Sequence, residues 1–356
     1  MLSRILAGST VALALLAGPA AAQAATRIVS MGPPQSAQKQ LGKINADANA
    51  FFPNTTTIAV GDKVKFVPSG FHTVDIPATG QSALPLIVPG AAIAGAVDAA
   101  GAPFWFNGQA ALGFNPVLAA SSLFGKKATF DGSKRVDSGL PLANKPKPLT
   151  VTFKTAGTFT YFCDVHAGMK ATLKVLAKRH KIPPASVGEH ATKAQVAAAL
   201  STAKAAAKTT PPADTVSVGV SGTGGVEVFG FFPSTLSVSA GTTVTFAMSA
   251  ASFEVHTATT GPGNPLKEPA SYLGKIAASL NSPVFDQSAV YPSDVPPGPA
   301  SLTPTSHGNG FWSSGAMDEA SATPLGSSSK VTFSAAGTYE FDCMIHPFMH
   351  GTVKVK

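Results

Sequence analysis

The stretch Tyr161-Phe-Cys-Asp-Val-His-Ala-Gly-Met-Lys170 places a thiol, an imidazole and a thioether on one short segment. The same spacing returns at Cys343, His346 and Met349, and the offset is 180 residues at each position (343−163, 346−166, 349−169). The two cysteines of these segments are the only cysteines in the chain. The sequence therefore predicts two copies of one chemically specialised loop.

The side chains of this loop indicate a particular metal. A thiolate, an imidazole and a thioether are three of the four ligands of a mononuclear copper electron-transfer site. Zinc also accepts Cys and His, but the recurring Met argues against a structural zinc site. A disulfide between Cys163 and Cys343 is the alternative, and it would have to join equivalent positions of two repeats. We expect one copper ion per repeat, hence two per chain.

The repeat extends well beyond the loops. Phe51-Phe-Pro53 matches Phe231-Phe-Pro233, and Gly61 matches Gly241 at the same offset. Apolar residues alternate with polar ones on both sides of each glycine, which is typical of half-buried strands joined by a turn. The short strands and the Gly and Pro punctuation predict an all-β fold of two tandem sandwiches.

The strand before each cysteine predicts which way the thiol points. Side chains alternate faces along a strand, so Tyr339, Phe341 and Cys343 share an apolar face. Phe159 and Tyr161 repeat the arrangement before the first cysteine. Both thiols are therefore expected on the core side, at one end of a sandwich.

The chain ends and the region between the repeats define the predicted organisation. Arg4, the apolar run of residues 5–16 and Ala22-Gln-Ala24 resemble a signal peptide and its cleavage site, which predicts export to the periplasm or the extracellular space. No segment is long and apolar enough to predict a transmembrane helix. The expected boundaries are a signal peptide at 1–24, a first domain at 25–177, a linker at 178–212 and a second domain at 213–356.

The linker is rich in Lys, Ala and Pro, and its spacing of Val196 and Leu200 predicts a short helix. It also carries part of the net charge of +8, in Lys178-Arg-His-Lys181. A basic linker is usually a solvated spacer, although peripheral contact with an anionic surface is an alternative. No nucleic-acid-binding module is recognisable, so no nucleic acid partner is expected.

A copper site of this type needs a second histidine from elsewhere in the fold. His72 is the only other histidine of the first repeat, and His256 occupies the corresponding stretch of the second. The offset between these two is 184 (256−72), so the second copy has gained four residues between Phe246 and His256. After this insertion the cysteines return to the offset of 180.

A His-Thr pair followed by a Gly-Thr-aromatic strand and a Cys-x2-His-x2-Met loop resembles the cupredoxins, the superfamily of plastocyanin and amicyanin. The resemblance covers both repeats and implies two tandem Greek-key β-sandwich domains joined by a partly helical linker. It implies type 1 (blue) copper bound in each domain, and the implied ligands are His72, Cys163, His166 and Met169 for one ion and His256, Cys343, His346 and Met349 for the other.

The resemblance also implies electron transfer as the function. The loop histidine of cupredoxins is an electron port at the surface, so redox partner proteins are expected to dock near His166 and His346. The small or apolar neighbours of these histidines favour the same exposed position. His307 and His350 are either competing ligands or ordinary solvent-exposed histidines.

Two other functions remain as alternatives. A two-domain copper enzyme would need His-x-His pairs or a histidine beside the cysteine, and the sequence has neither. We therefore expect an electron carrier rather than an enzyme. A copper storage or delivery protein could use the same ligands, and the sequence does not separate it from a carrier.

Overall fold

A computed structural model of the chain describes residues 24–319 and 325–356. Residues 1–23 of the predicted signal peptide lie outside the described residues. None of the helices in the described ranges has the length and apolar character needed to span a membrane.

The first half of the chain consists mainly of short strands. In chain order its elements are β1 (Thr26–Met31), α1 (Gln35–Gly42), β2 (Ala46–Ala48), β3 (Phe51–Phe52), β4 (Thr55–Ala59), β5 (Lys63–Pro68), β6 (Asp75–Ile76), β7 (Ile87–Ala92), β8 (Ala110–Phe114), α2 (Pro116–Ala120), β9 (Lys127–Phe130), β10 (Val136–Asp137), β11 (Leu149–Phe153), β12 (Gly157–Phe162) and β13 (Lys170–Leu176).

The second half follows a long helix. Its elements are α3 (Ala185–Ala206), β14 (Thr215–Gly222), β15 (Val226–Phe232), β16 (Thr235–Val238), β17 (Thr243–Ala247), β18 (Val255–His256), β19 (Thr259–Thr260), α4 (Tyr272–Ser279), β20 (Ala300–Leu302), β21 (Trp312–Ser313), β22 (Met317–Asp318), β23 (Ser328–Phe333), β24 (Gly337–Asp342) and β25 (His350–Val355), with 3₁₀ turns at Gln287–Ala289 and Ser306–Gly308.

Each half builds a sandwich of two sheets. In the first half the strand orders are β3-β1-β5-β11-β9 and β10-β6-β12-β13-β4. In the second half they are β2-β15-β14-β17-β23-β20 and β16-β25-β24-β19-β21. Alternate residues of the strands are buried between the sheets, as in β11 and β23, because successive side chains of a strand point to opposite faces. The predicted all-β sandwich fold is confirmed.

Strand β2 comes from the first half but belongs to a sheet of the second. It pairs antiparallel with β15, its equivalent in the repeat, and Asp47 lies opposite Glu227, the residue 180 positions later. The flanking hydrogen bonds are reciprocal: the Asn49 N–H donates to the Gly225 carbonyl and the Phe229 N–H donates to the Asn45 carbonyl, both at 2.7 Å. Since 49 and 229, and 45 and 225, are equivalent positions, the halves meet in the manner of a two-fold symmetric dimer.

The long insertions between the histidine and the cysteine of each half pack against each other. They form a separate apolar core that includes Phe104 and Phe106 from the first half and Leu273 and Phe311 from the second. The Trp105 indole N–H also donates to the Pro292 carbonyl across this contact, at 2.8 Å. The insertions therefore add a second contact region between the halves.

Helix α3 of the linker is longer than the short helix that the sequence predicts. Its buried residues Ala199, Ala203 and Ala206 pack against a cluster that contains Phe52 of the first half and Val228 of the second. The small side chains of alanine allow the helix to approach the strands closely. The helical part of the linker is therefore packed onto the fold, whereas residues 178–181 are exposed.

Candidate metal centres

The cysteine loops lie at the ends of two equivalent hairpins. Strands β12 and β13 pair up to Phe162 opposite Lys170, so the loop begins directly after the last paired residue. The loop closes on itself, because the Cys163 N–H donates to the Met169 carbonyl (2.9 Å) and the Met169 N–H donates to the His166 carbonyl (3.0 Å). This closed turn fixes the backbone of the three chemically active residues.

The second loop has the same construction. Asp342 of β24 pairs with His350 of β25, and the Cys343 N–H donates to the Met349 carbonyl at 3.2 Å. The Met349 N–H donates to the carbonyl of His346 at 2.8 Å. Both thiols point into the sandwich cores, as the strand alternation predicts, and are at most 3 % exposed.

In the first half the structure brings His72, Cys163 and His166 together. The Nδ1 atoms of His72 and His166 lie 3.0 Å apart. The Cys163 Sγ lies 3.9 Å from Nδ1 of His72 and 3.6 Å from Nδ1 of His166. His72 reaches this position because it lies three residues before Asp75 of β6, which pairs with β12 at the residue before the cysteine. Three predicted ligand atoms therefore converge on one point.

In the second half His256, Cys343 and His346 form the same arrangement. The two Nδ1 atoms are 3.1 Å apart, and the Sγ lies 3.8 Å from His256 and 3.9 Å from His346. Met169 and Met349 are each 1 % exposed and pack in the same apolar core as the cysteine of their half. All eight residues singled out in the sequence thus lie at the two loops or beside them.

The surroundings of each thiol favour the thiolate. Burial raises the pKa of the Cys163 thiol, but the hydrogen bonds and charges of His166 and His72 outweigh this and hold that pKa well below its usual range. The pKa of Cys343 is lowered in the same way by His256 and His346. A backbone N–H also donates to each sulfur, from Thr73 at 3.4 Å and from Thr257 at 3.3 Å.

This donor set fits a single copper ion. Bonds of about 2.0 to 2.3 Å from one metal to nitrogen and sulfur place the donor atoms about 3 to 4 Å apart, which is the observed range. A thiolate with two imidazoles in a trigonal arrangement and a nearby methionine is the donor chemistry of a blue copper site. The residues of both halves therefore satisfy the requirement of the metal.

The second ring nitrogens of the histidines have different partners in the two halves. Nε2 of His256 lies 3.3 Å from Oε1 of the buried Glu227. Burial lowers the pKa of His256, but Cys343 and Glu227 outweigh this and raise it to about 10. By contrast, Nε2 of His72 is buried without a hydrogen-bond partner among the described residues. A carboxylate on the outer nitrogen fixes the ring and its tautomer, so His256 has a support that His72 lacks.

The predicted surface position of the loop histidines is wrong for His166, which is only 7 % exposed. Its Nε2 lies 3.3 Å from Oε1 of Glu254, which comes from the second half of the chain. The side chain of His346 is 19 % exposed, and its Nε2 lies 3.6 Å from Oε2 of the same Glu254. The contact between the halves therefore covers one loop histidine and leaves an edge of the other open.

His307 and His350 lie outside both donor sets. His307 contacts two carboxylates, with Nδ1 3.2 Å from Asp98 and Nε2 3.4 Å from Asp294. His350 has a 42 % exposed side chain, and its Nδ1 lies 3.0 Å from Asp342. Neither histidine is a competing ligand in this arrangement.

A buried acidic cluster beside the first loop was missed by the sequence reasoning. One carboxylate oxygen each of Asp75, Asp137 and Asp164 lies within 4.8 Å of the others, and Arg135 pairs with Asp75. Burial raises the pKa of Asp137 to about 6. The equivalent positions of the second half are Thr259, Ser313 and Met344, so the second half has no carboxylate at these positions. Asp164 directly follows Cys163, and this acidic neighbour was the feature of the sequence that could have indicated the cluster.

No protein-family model matches the chain, and the comparison with curated proteins finds no match. Similar solved structures include plastocyanin from Dryopteris crassirhizoma (23 % identity, TM-score 0.19, covering 40 % of this chain and 99 % of that one). A reduced Cu(I) form of an amicyanin mutant is 19 % identical, with a TM-score of 0.21 and coverage of 42 % and 89 %. A purple cupredoxin from Nitrosopumilus maritimus is 16 % identical, with a TM-score of 0.19 and coverage of 40 % and 98 %.

The arrangement of the sheets and of the loops at their ends confirms the tandem all-β sandwich fold predicted from the sequence. The TM-scores of these matches are near 0.2, and the chemistry of the two sites rests on their own residues.

Proposed function

We propose that the chain is an exported electron-transfer protein with two type 1 copper sites. One site would use His72, Cys163, His166 and Met169, and the other His256, Cys343, His346 and Met349. The observation that carries this proposal is the convergence, twice in one chain, of two imidazole nitrogens and a thiolate within 4 Å of one another.

The protein's own contribution is to hold these donors in place before and after electron transfer. The hairpin loops fix the cysteine and one histidine, and the strand contacts with β6 and β18 fix the other histidine. Copper would supply the one-electron couple between Cu(I) and Cu(II). Because the ligands suit both states and their packing opposes rearrangement, the barrier to electron transfer is kept small.

The redox partner is proposed to dock near His346. This histidine is the partly exposed member of the two donor sets, and the adjacent Phe348 is 54 % exposed. Docking directly at His166, which the resemblance also implied, is disfavoured because Glu254 and the second half of the chain cover that ring. Contact of the exposed basic residues 178–181 with an anionic surface remains a prediction.

The test is to load the purified protein with Cu(II) and to measure copper content, visible absorbance and electron paramagnetic resonance (EPR) spectra. We expect two copper ions per chain, an intense blue colour and narrow copper hyperfine splitting. The Cys163→Ser and Cys343→Ser variants should each lose one blue centre. His350→Ala should keep both, because His350 lies outside the donor sets.

A colourless protein, or a His350→Ala variant that loses a blue centre, would contradict the proposed ligand sets. Copper that binds but cannot be cycled reversibly between its two oxidation states would instead support storage or delivery. Measurement of the reduction potential and of the self-exchange rate separates these two functions.

A further inference from the structure

Glu254 is a buried carboxylate that contacts both candidate sites at once. Its residue is 6 % exposed, and its two oxygens lie 3.3 Å from Nε2 of His166 and 3.6 Å from Nε2 of His346. The Nδ1 atoms of the same two rings belong to the donor sets of the two halves. The two sites are therefore joined by a ring, a carboxylate and a second ring.

The position of Glu254 is fixed from both halves of the chain. The Asn49 side-chain amide of the first half donates to Oε1 of Glu254 at 2.8 Å. The Glu254 N–H donates to the Ser252 hydroxyl at 3.1 Å, and this hydroxyl in turn donates to Glu227. The neighbouring Phe253 packs against the core of the first sandwich. A buried charge held by this many partners stays in one place.

Glu254 lies in the segment between Phe246 and His256, which is four residues longer than its equivalent in the first repeat. Nine residues separate Phe246 from His256, whereas five separate Phe66 from His72. The extra length lets the chain reach the loop of the other half, where the ring of Phe253 lies over Gly168. A Cβ at Gly168 would come within 2.7 Å of that ring, and its φ of +105° also favours glycine. The insertion and the opposite loop fit each other.

When Nδ1 of an imidazole binds a metal, the remaining ring proton is on Nε2. Nε2 of His166 can therefore donate to the Glu254 carboxylate at 3.3 Å, as ligand histidines commonly do towards an acidic partner, while Nε2 of His346 lies 3.6 Å from the other carboxylate oxygen. The carboxylate therefore accepts from one ring and lies within ion-pair distance of the other.

We propose that Glu254 is a positioning residue that connects the two sites, so that an electron passes between them along His166, Glu254 and His346. This inference rests on the proposed copper function. In the exchange, Cu(I) of one site is oxidised to Cu(II) while Cu(II) of the other is reduced to Cu(I), and no proton needs to leave the bridge. Since His166 is covered, the first site exchanges electrons with the exterior through the second.

The test uses the full chain with both sites loaded with Cu(II), rapidly mixed with an excess of hexaammineruthenium(II), while the blue absorbance is followed. We expect the wild-type absorbance to disappear in one phase. In Glu254→Gln, which keeps the size of the side chain but removes its charge, half should disappear at the wild-type rate and half at least tenfold more slowly. Glu189→Gln, the same change at an exposed position of α3, should behave as wild type.

The cysteine variants provide a second, independent measurement. In Cys343→Ser the remaining first site should be reduced at the slow rate, because its relay is gone. In Cys163→Ser the remaining second site should keep the fast rate. If Glu254→Gln does not fold, these two variants decide alone, since neither alters the bridge.

A third readout needs no copper. In the copper-free protein, nuclear magnetic resonance should show a low-field, slowly exchanging Nε2 proton for His166, and this proton signal should be lost in Glu254→Gln. A single fast phase in Glu254→Gln, or fast reduction of the first site in Cys343→Ser, overturns the proposal. Failure of the copper function itself is distinguishable, because the blue absorbance would already be missing before mixing.

Discussion

Individual residues of the two sites are equivalent, but their surroundings are not. His256 has Glu227 on its outer nitrogen, whereas the outer nitrogen of His72 has no partner among the described residues. The first site instead has three buried aspartates beside it. The halves therefore present the same donor atoms in different electrostatic environments, and the two sites are expected to differ in reduction potential.

The acidic cluster predicts a pH dependence of stability. Burial raises the folded-state pKa of Asp137 from 3.8 to about 6, so its favourable contribution is complete below pH 4 and is lost as the pH rises through 6. Asp137→Asn cannot ionise and should be more stable than wild type at pH 8, by up to about 3 kcal/mol for a shift of about two pKa units. At pH 4 the two proteins should be equally stable.

Urea unfolding of the copper-free proteins at both pH values measures this difference. Asp131→Asn is the control, because Asp131 is an exposed carboxylate whose pKa is lowered by hydrogen bonds from Ser133. The Asp131→Asn variant should show no gain in the free energy of unfolding at pH 8. Equal stability of Asp137→Asn and wild type at pH 8 would contradict the buried, ionised state of Asp137.

Three residues of each predicted donor set could be predicted from the sequence because their spacing is local. A hairpin loop brings Cys163, His166 and Met169 together whatever the rest of the fold does. Glu254 could not be predicted, since it reaches His166 only through the contact between the halves. The one sign of that contact in the sequence was the offset of 184 between His72 and His256, four more than the offset between the cysteines. For the same reason, the burial of His166 contradicts the expected surface position.

Among the larger elements, α3 differs most from its prediction. The alanine-rich linker, which begins with the basic residues 178–181, is typical of a solvated spacer. In the structure, three alanines of α3 lie against strands of both halves. Sequence patterns show that such a helix can form, yet they do not show what it packs against. The helix is therefore a structural part of the junction.

Substitutions on the two faces of α3 test this. Ala203 is fully buried, so Ala203→Glu would place a charge in an apolar cluster and should reduce the free energy of unfolding by about 3 kcal/mol or more. Ala205, on the exposed face, is the control, and Ala205→Glu should change it by less than about 0.5 kcal/mol. Thermal or urea unfolding gives both values, and equal effects would mean that the helix is a free spacer.

For the whole molecule, the contacts between the halves are extensive enough to expect joint unfolding. The halves share a sheet through β2 and β15 and share the core of the insertions. Separate domains joined only by a flexible linker would unfold independently. We expect this chain to unfold in a single transition.

Phe106 provides the test, because it is fully buried in the core of the insertions and stacks on Tyr291 of the other half. Phe106→Ala should lower the free energy of unfolding by about 3 to 5 kcal/mol. The unfolding midpoints measured by the fluorescence of Trp105 and Trp312 and by circular dichroism should shift to the same new value. Val97→Ala, at a 54 % exposed position of the same insertion, should change little. Two separated transitions in wild type would show that the halves fold independently.

The reciprocal pairing of β2 with β15 has a consequence for how such a molecule can arise. Two identical chains meeting in this way would each bring the same loop to the axis, so a carboxylate there would always appear as a pair of like charges. Fusion of the two copies removes this constraint, because one loop can lengthen while its counterpart stays short. A duplicated gene can therefore place one carboxylate at the junction, where a homodimer can place carboxylates only in equivalent pairs.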